Sequence, residues 1–435
     1  MILIILGFNN ERGVRMKYKI IVAHPERQHS FKLASALKQN DCLFKYVTTV
    51  YDKESSFLMK CTKLFLSKEN LHRAEGRKNP DLKDNDVIQF CELRGLIQIT
   101  LYRFDKSKII YNWWHKKTSK KFGKKVARLA IKENVDAVIL YDANALTCFK
   151  ILEERAPKIL RIMDTSAANR LYMKTIYEKD MKICPQFSEK LKEERNFLWR
   201  SNYCELLSRE LNATQYFLAP STFVKESLIY SGIKEEQIKI CPYGSNFNIN
   251  EAGERIKKDN SAILKGIYVG NVTEMKGIYY LLEAALKIPN DKFKLTVVGA
   301  FNNSDGIFDK YRDRINFVGR VTHEKVEEFL LKSDIFIFPS LGEGMSLAVL
   351  EAMACGLPCI VTKNSGVSDA INEGKNGYEI DVQNIMAIKE KIEWFIKNKD
   401  AIVTMGNHAI ESAKIYTWEN YNYNLIKIID SILES

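Results

Sequence analysis

The 435-residue sequence has no run approaching 18 uncharged apolar residues, the length an α-helix needs to cross a bilayer. Its opening, "MILIILGFNN", is only briefly apolar and has no basic residues before it, too short for a signal peptide or a membrane span. The nine cysteines form no CxxC pair and no Cys/His cluster. That argues against a zinc site or a disulfide framework and fits a reducing cytoplasm. Glycine (21) and proline (9) are too sparse for a disordered chain. There is no internal repeat, no low-complexity segment, no aromatic–basic RNA module and no zinc finger, so nucleic acid is not an expected partner.

What is present is a globular composition, 46% hydrophobic, in a chain longer than one core usually supports. The net charge of +12 is uneven: residues 1–200 carry 40 Lys/Arg against 23 Asp/Glu, and residues 201–435 carry 26 against 31. The first half therefore calls for an anionic partner, such as a membrane surface or a phosphorylated acceptor.

Short apolar runs alternate with helical patterns, the signature of parallel α/β units. Strands are expected at 19–24, 136–140, 159–163, 215–219 and 238–241, then at 264–270, 293–299, 315–319, 334–340 and 358–362. The polar stretch 246–262 between the two sets reads as a linker. The expected architecture is α/β: two doubly wound, Rossmann-like domains facing a cleft, spanning 16–246 and 247–416, with a terminal helix in 417–435. Met16 opens "MKYKIIVAHP", so residues 1–15 read as an upstream extension.

Residues 51–133 break the strand rhythm. An amphipathic helix is expected within 55–71, and a sharper one within "NWWHKKTSKKFGKKVARLAIK" (112–132). There Lys117, Lys121, Lys125, Arg128 and Lys132 share one side, and Trp114, Phe122, Val126 and Leu129 another. Such a helix either packs its apolar stripe on the sheet or lies on an anionic membrane.

The stretch "PSLGEGMSLAVLEAMACGLPCIV" (339–361) places Glu351 inside an apolar helix and Glu343 eight residues earlier in a glycine-flanked turn. Ser346 can cap the helix start, and Gly356 and Pro358 can end it. Glu351 shares a face with Leu347. A buried, unpaired carboxylate is costly, so Glu351 faces either a neighbouring strand or ligand hydroxyls, two of which a carboxylate can accept side by side. The turn Gly342–Ser346 leads into the helix start, where free amides and the helix dipole favour a phosphate. In "IYVGNVTEMKGIYYLLEA" (267–284), Lys276 stands just before a helix, placed to neutralise a diphosphate unless it is simply solvated.

"EGMSLAVLE" matches the E-x7-E motif of family-four (group 1) glycosyltransferases. "YVGNVTEMKGIYYLLEA", "INFVGRV", "EGKNGYEI" and "TWENY" resemble that family's blocks, in its order, strongly over about 215–425 and only in pattern before that. The resemblance implies a two-domain GT-B fold and a retaining hexosyltransferase. Such an enzyme moves sugar from a nucleotide diphosphate sugar to an acceptor hydroxyl, with no metal or other cofactor. It also implies roles: Glu351 on the ribose hydroxyls, Glu343 on the donor sugar, the amides of Met345, Ser346 and Leu347 on phosphate and sugar, and Gly342 and Gly344 among the donor-binding residues of the turn. Lys276 would stabilise the leaving diphosphate, whose oxygen takes the acceptor proton in the family's front-face mechanism. The final helix would cross back to the first domain.

Two positions depart from the family. Asn271 stands where an arginine commonly makes a second diphosphate contact. The histidine expected after the middle strand of the first domain is missing, leaving Asp164 or Ser166 for that role. Arg27 and His29, in "HPERQHS" (24–30), are further candidates for acceptor or sugar contacts. The basic first half points to a saccharide or lipid-linked acceptor, to peripheral attachment on the inner face of a membrane, and to cell-surface polysaccharide or lipopolysaccharide synthesis. The competing readings are a catalytically silent GT-B partner that binds nucleotide sugar and a retaining glycoside hydrolase using the two glutamates.

Overall fold

The computed structural model describes residues 16–26, 29–64, 71, 74–105, 107–194, 202–245, 263–303 and 306–434. The expected extension 1–15, the linker 246–262 and Arg27 lie outside these residues. Contacts divide the chain into two compact units. One takes the described residues up to Asp164, with Glu205–Leu218 and those from Asn422 onward; the other takes Thr165–Cys204 and Ala219–Tyr421. This differs from a single break after residue 246, because segments early in the chain group with the later unit.

All ten anticipated strands form, and three more join them. The first sheet contains β1 (Ile20–Ala23), β2 (Leu43–Thr48), β3 (Val87–Gln89), β4 (Ala137–Tyr141), β5 (Leu160–Asp164), β6 (Tyr216–Ala219) and β7 (Ile238–Ile240), in the order β3-β2-β1-β4-β5-β6-β7. The second contains β8 (Leu264–Val269), β9 (Phe293–Val298), β10 (Ile315–Gly319), β11 (Ile335–Phe338), β12 (Cys359–Thr362) and β13 (Gly377–Ile380), in the order β10-β9-β8-β11-β12-β13. Ladders such as β1–β4 and β8–β11 are parallel. The central strands β1, β4 and β11 are buried along their whole length, as expected for parallel strands covered on both faces. In each sheet the strand order reverses next to its first strand, between β1 and β4 and between β8 and β11. Ligands of such sheets bind beyond the carboxyl ends at that switch point.

The terminal helix, Trp418–Leu433, buries Leu425, Ile429 and Ile432. In the first unit, Lys17 pairs with Asp430 at 2.6 Å and Asn422 donates to Gln39 at 3.0 Å. Within 55–71, helix is described over Phe57–Leu64. The basic helix runs from Ile109 to Glu133. Phe122 and Val126 are fully buried, and the helix packs against Leu146–Arg155. Its apolar stripe therefore belongs to the core, and the rest of its length presents lysines outward. At Gly123 an added Cβ would lie 3.2 Å from the Cys148 amide, which is what lets the two helices approach.

Candidate functional site

At the switch point of the second sheet, β8 is followed by Gly270 and Asn271, and a tight turn, Glu274–Lys276, leads into the Ile278–Leu286 helix. Gly277 joins turn to helix at φ +65°, and a Cβ there would sit 1.9 Å from the Pro339 carbonyl. Only glycine fits, and its absent side chain brings the Lys276 turn against the end of β11. From β11 the chain passes through Gly342-Glu343-Gly344 into the Leu347–Ala354 helix. Gly344 admits the Ser166 carbonyl, 1.9 Å from where its Cβ would be, and its own carbonyl accepts from Ser221 Oγ at 2.7 Å.

The two turns meet in an ion pair: Lys276 Nζ contacts Glu343 Oε1, both side chains about four-fifths buried. Ser340 Oγ lies 3.3 Å from the same carboxylate oxygen. The Glu343 amide donates to the Asn364 carbonyl at 2.8 Å, and Thr362 Oγ1 donates to the Ser340 carbonyl at 2.6 Å. The motif turn is thus tied to the chain following β12. A pocket of about 350 Å³ opens here, lined by Asn271, Lys276, Glu343, Met345, Ser346 and Leu347 among others. It also takes in Arg320, in the turn after β10. Arg320 lies in the "INFVGRV" block; the place of its side chain in the pocket depends on the strand order.

Ser346 occupies the N-cap position, but its side chain makes no capping bond. Its amide donates to the Ser365 carbonyl at 3.2 Å, so this amide is engaged within the fold, contrary to its expected role as a phosphate donor. Helix geometry leaves the next two amides, Leu347 and Ala348, without an intrahelical acceptor, and both residues line the pocket. Glu351 follows one turn later and is half-buried. Burial pushes its carboxyl above the usual carboxylate range, while the positive field of His323, at the start of the His323–Leu331 helix, works the other way.

A second constellation lies at the switch point of the first sheet. His29 Nε2 is 3.2 Å from Asp164 Oδ2, at the end of β5, and its ring lies edge-on to Tyr141, at the end of β4, with centroids 5.3 Å apart. His24, just past β1, stands edge-on to the same tyrosine at 4.8 Å. It is buried, and among the described residues its Nε2 has no hydrogen-bond partner. Burial lowers its imidazole below the usual value, against a hydrogen bond with the Glu26 backbone. The structure brings His29 and Asp164 together as candidates and adds His24 and Tyr141. Ser166 belongs to the other unit, beside Gly344. Among the described residues, no group of three or more His, Cys, Asp or Glu side chains could hold a metal ion.

Residues 251–414 match the family described as glycosyl transferases group 1. That part of the chain is a group 1 glycosyltransferase domain. The glycosyltransferase domain contains Asn271, Lys276, Arg320, Glu343 and Glu351, and the His29–Asp164 pair lies outside it. The chain is 30% identical over 152 residues to N-acetyl-alpha-D-glucosaminyl L-malate synthase of Bacillus anthracis, covering 34% of this chain and 39% of that protein. It is 26% identical over 212 residues to the capsular polysaccharide biosynthesis glycosyltransferase CapM of Staphylococcus aureus, covering 44% of this chain and 54% of that protein. The chain spans about half the length of the curated relatives it matches. Among solved structures, the Anabaena protein HepE in complex with UDP aligns with a TM-score of 0.59 at 14% identity, over 96% of this chain and all of that one. The two parallel sheets with their helices are the GT-B glycosyltransferase fold.

Proposed function

We propose that this protein transfers a sugar from a nucleoside diphosphate sugar to an acceptor hydroxyl with retention of configuration. The observation that carries the reading is the Lys276–Glu343 pair beside the first turn of the Leu347–Ala354 helix, at the switch point of the second sheet. Lys276 and the Leu347 and Ala348 amides form a site for an anion. Glu343 and Glu351 are acceptors for hydroxyls on either side of it: Glu343 for the sugar, Glu351 for the ribose. In this reading the diphosphate takes Lys276 from Glu343 and frees that carboxylate for the donor sugar. Charge grows on the diphosphate as the glycosidic bond breaks, so a fixed cation there favours the transition state over the ground state. Lys276, Arg320 and the helix amides supply this positive charge without a metal. HepE, solved with UDP, supports a nucleotide as the ligand class.

We assign the His24, His29, Tyr141 and Asp164 group to the acceptor side, because it holds the same switch-point position in its own sheet. CapM acts in capsular polysaccharide biosynthesis. That likeness and the basic first half support a cell-surface polysaccharide or lipopolysaccharide acceptor, lipid-linked and close to a membrane. Among the described residues no helix is long and apolar enough to cross one. Asn271 supports a second reading, a partner that binds nucleotide sugar without turnover; Arg320 in the same pocket weakens it.

The test is thermal unfolding of the purified protein with UDP, GDP, ADP, CMP and their sugar conjugates. A ligand that binds only the folded state raises its apparent stability. One diphosphate should shift the midpoint, and Glu351→Ala should weaken that ligand by about 1–3 kcal/mol, the cost of a lost charged hydrogen bond. No shift with any nucleotide would sink the donor assignment. Binding without transfer to any acceptor would favour the silent partner.

A further inference from the structure

The structure assigns a membrane-inserting tip to the hairpin formed by the Glu92–Phe104 and Ile109–Glu133 helices, and we propose that an anionic bilayer is what covers it. Six of the fourteen exposed large hydrophobic side chains among the described residues fall between 93 and 113. Phe104 and Ile109, on either side of the turn, are 77% and 72% exposed, and Tyr102, Ile110 and Trp113 are more than half exposed. Solvent contact for this many large apolar side chains in one place marks an interaction surface.

Hydrogen bonds among its described residues hold the turn that carries them. Asp105 accepts from the Tyr111 amide at 2.8 Å and from Ser107 Oγ at 2.7 Å. Those bonds hold its carboxyl below the usual range and engage the acidic side chain of the turn. Lys108 turns the chain at φ +57° and donates to the Tyr102 carbonyl. Trp114 Nε1 donates to the Arg94 carbonyl at 3.0 Å, fixing the two helices side by side behind the tip.

Charge identifies the occupant. Residues 92–133 carry twelve Lys/Arg against three Asp/Glu, nine of the chain's +12. Lys116, Lys117, Lys120, Lys121 and Lys124 are exposed and begin where the apolar residues stop. From Ile109 to Trp113 the helix rises about 6 Å, within the depth of about 5–10 Å to which interfacial apolar faces enter a bilayer. Lys117, whose Nζ lies 3.9 Å from the Trp113 ring centroid, follows one turn further up, at the level of lipid phosphates. An apolar end, an aromatic collar and then lysines is the order of layers in an anionic leaflet. A protein partner would require none of this ordering.

This placement is sharper than the one expected from 112–132, whose apolar stripe is buried. It stands independently of the donor site. The test is flotation of the full-length protein with phosphatidylcholine vesicles, with and without phosphatidylglycerol. Two variants are compared: Phe104→Ser/Ile109→Ser/Ile110→Ser and Lys117→Glu/Lys120→Glu/Lys124→Glu. Wild type should bind anionic vesicles at least tenfold more than neutral ones, and each variant should lose at least tenfold while keeping its thermal midpoint and nucleotide shift. Absence of vesicle binding, or binding indifferent to the tip variant, would overturn the proposal. So would a wild-type dimer that the tip variant turns into monomer without changing vesicle binding, since a second copy would then cover the tip. The nucleotide shift in the same samples reports separately on the donor reading.

Discussion

The two sheets carry their polar constellations at the same topological position but build them from different chemistry. Beyond β8 and β11 the materials are tight glycine turns, helix amides, the Lys276–Glu343 pair and Arg320. Beyond β1, β4 and β5 they are three rings, His24 and Tyr141 buried and His29 partly exposed, and the buried carboxyl of Asp164. Behind Tyr141, Glu210 accepts from the Ala143 and Ala145 amides, both at 2.8 Å, and from Leu146 at 3.0 Å. It thereby holds a turn in which Ala143 has φ +66°. Doubly wound topology offers a crevice in both cases; under the proposed function, local sequence makes one an anion site and the other a site for uncharged hydroxyls. Donor binding should therefore follow fixed charge, and pH sensitivity should concentrate in the first sheet.

The largest expected effect breaks the fixed-charge half of this comparison. Lys276→Ala should lower turnover about 10²- to 10³-fold, the usual consequence of removing one preorganised transition-state contact, with a smaller change in nucleotide affinity. Single-turnover transfer of radiolabelled sugar alongside nucleotide titration separates the two. Equal losses in both would make Lys276 a ground-state binder and weaken the contrast.

How much of this was legible in sequence follows the range of the interactions. Lys276, Glu343 and Glu351 could be read because each lies in a strand–turn–helix unit whose spacing is local. The side chain of Arg320 could not, because only the β10-β9-β8-β11 order brings it to the pocket of Lys276. His29 was a candidate and His24 was not, though they share one loop; burial against Tyr141 singles out the second. Three strands carry weak sequence signals: β2 interleaves Lys45 with apolar residues, β3 has three residues and β13 begins with glycine. Periodicity predicts a helix within 112–132 but not which end of it stays uncovered, which depends on where Leu146–Arg155 packs.

A somewhat smaller effect tests the titratable half. Burial pushes the Glu210 carboxyl up to about 7, despite three amides that favour its charged form. A raised folded value means its stabilising contribution is fully present below the unfolded value near 4.5 and is lost as pH rises through about 7. The span corresponds to a loss on the order of 3 kcal/mol. His24 acts with the opposite sign: its lowered value favours folding above its ordinary pKa and costs stability under acid. Glu210→Gln isolates the first term. Its amide nitrogen would face a backbone N–H, so the variant should be less stable than wild type at pH 5, with the deficit shrinking or reversing by pH 8. Parallel urea-unfolding curves across that range would remove Glu210 from the comparison.

The smallest expected effect concerns the second cation. Asn271 and Arg320 line one pocket, and Arg320 is exposed, so its field on a diphosphate is screened. Arg320→Ala should weaken a nucleoside diphosphate by about 0.5–1 kcal/mol and the corresponding monophosphate by less, with the difference fading at high salt. If Arg320 supplies the charge that Asn271 lacks, adding Asn271→Arg to that variant should restore affinity, and Asn271→Arg alone should add little. Independent, additive effects would mean that the two positions do not share a phosphate. The donor site would then rest on Lys276 and the helix amides alone, and the contrast between the sheets would narrow to a single lysine.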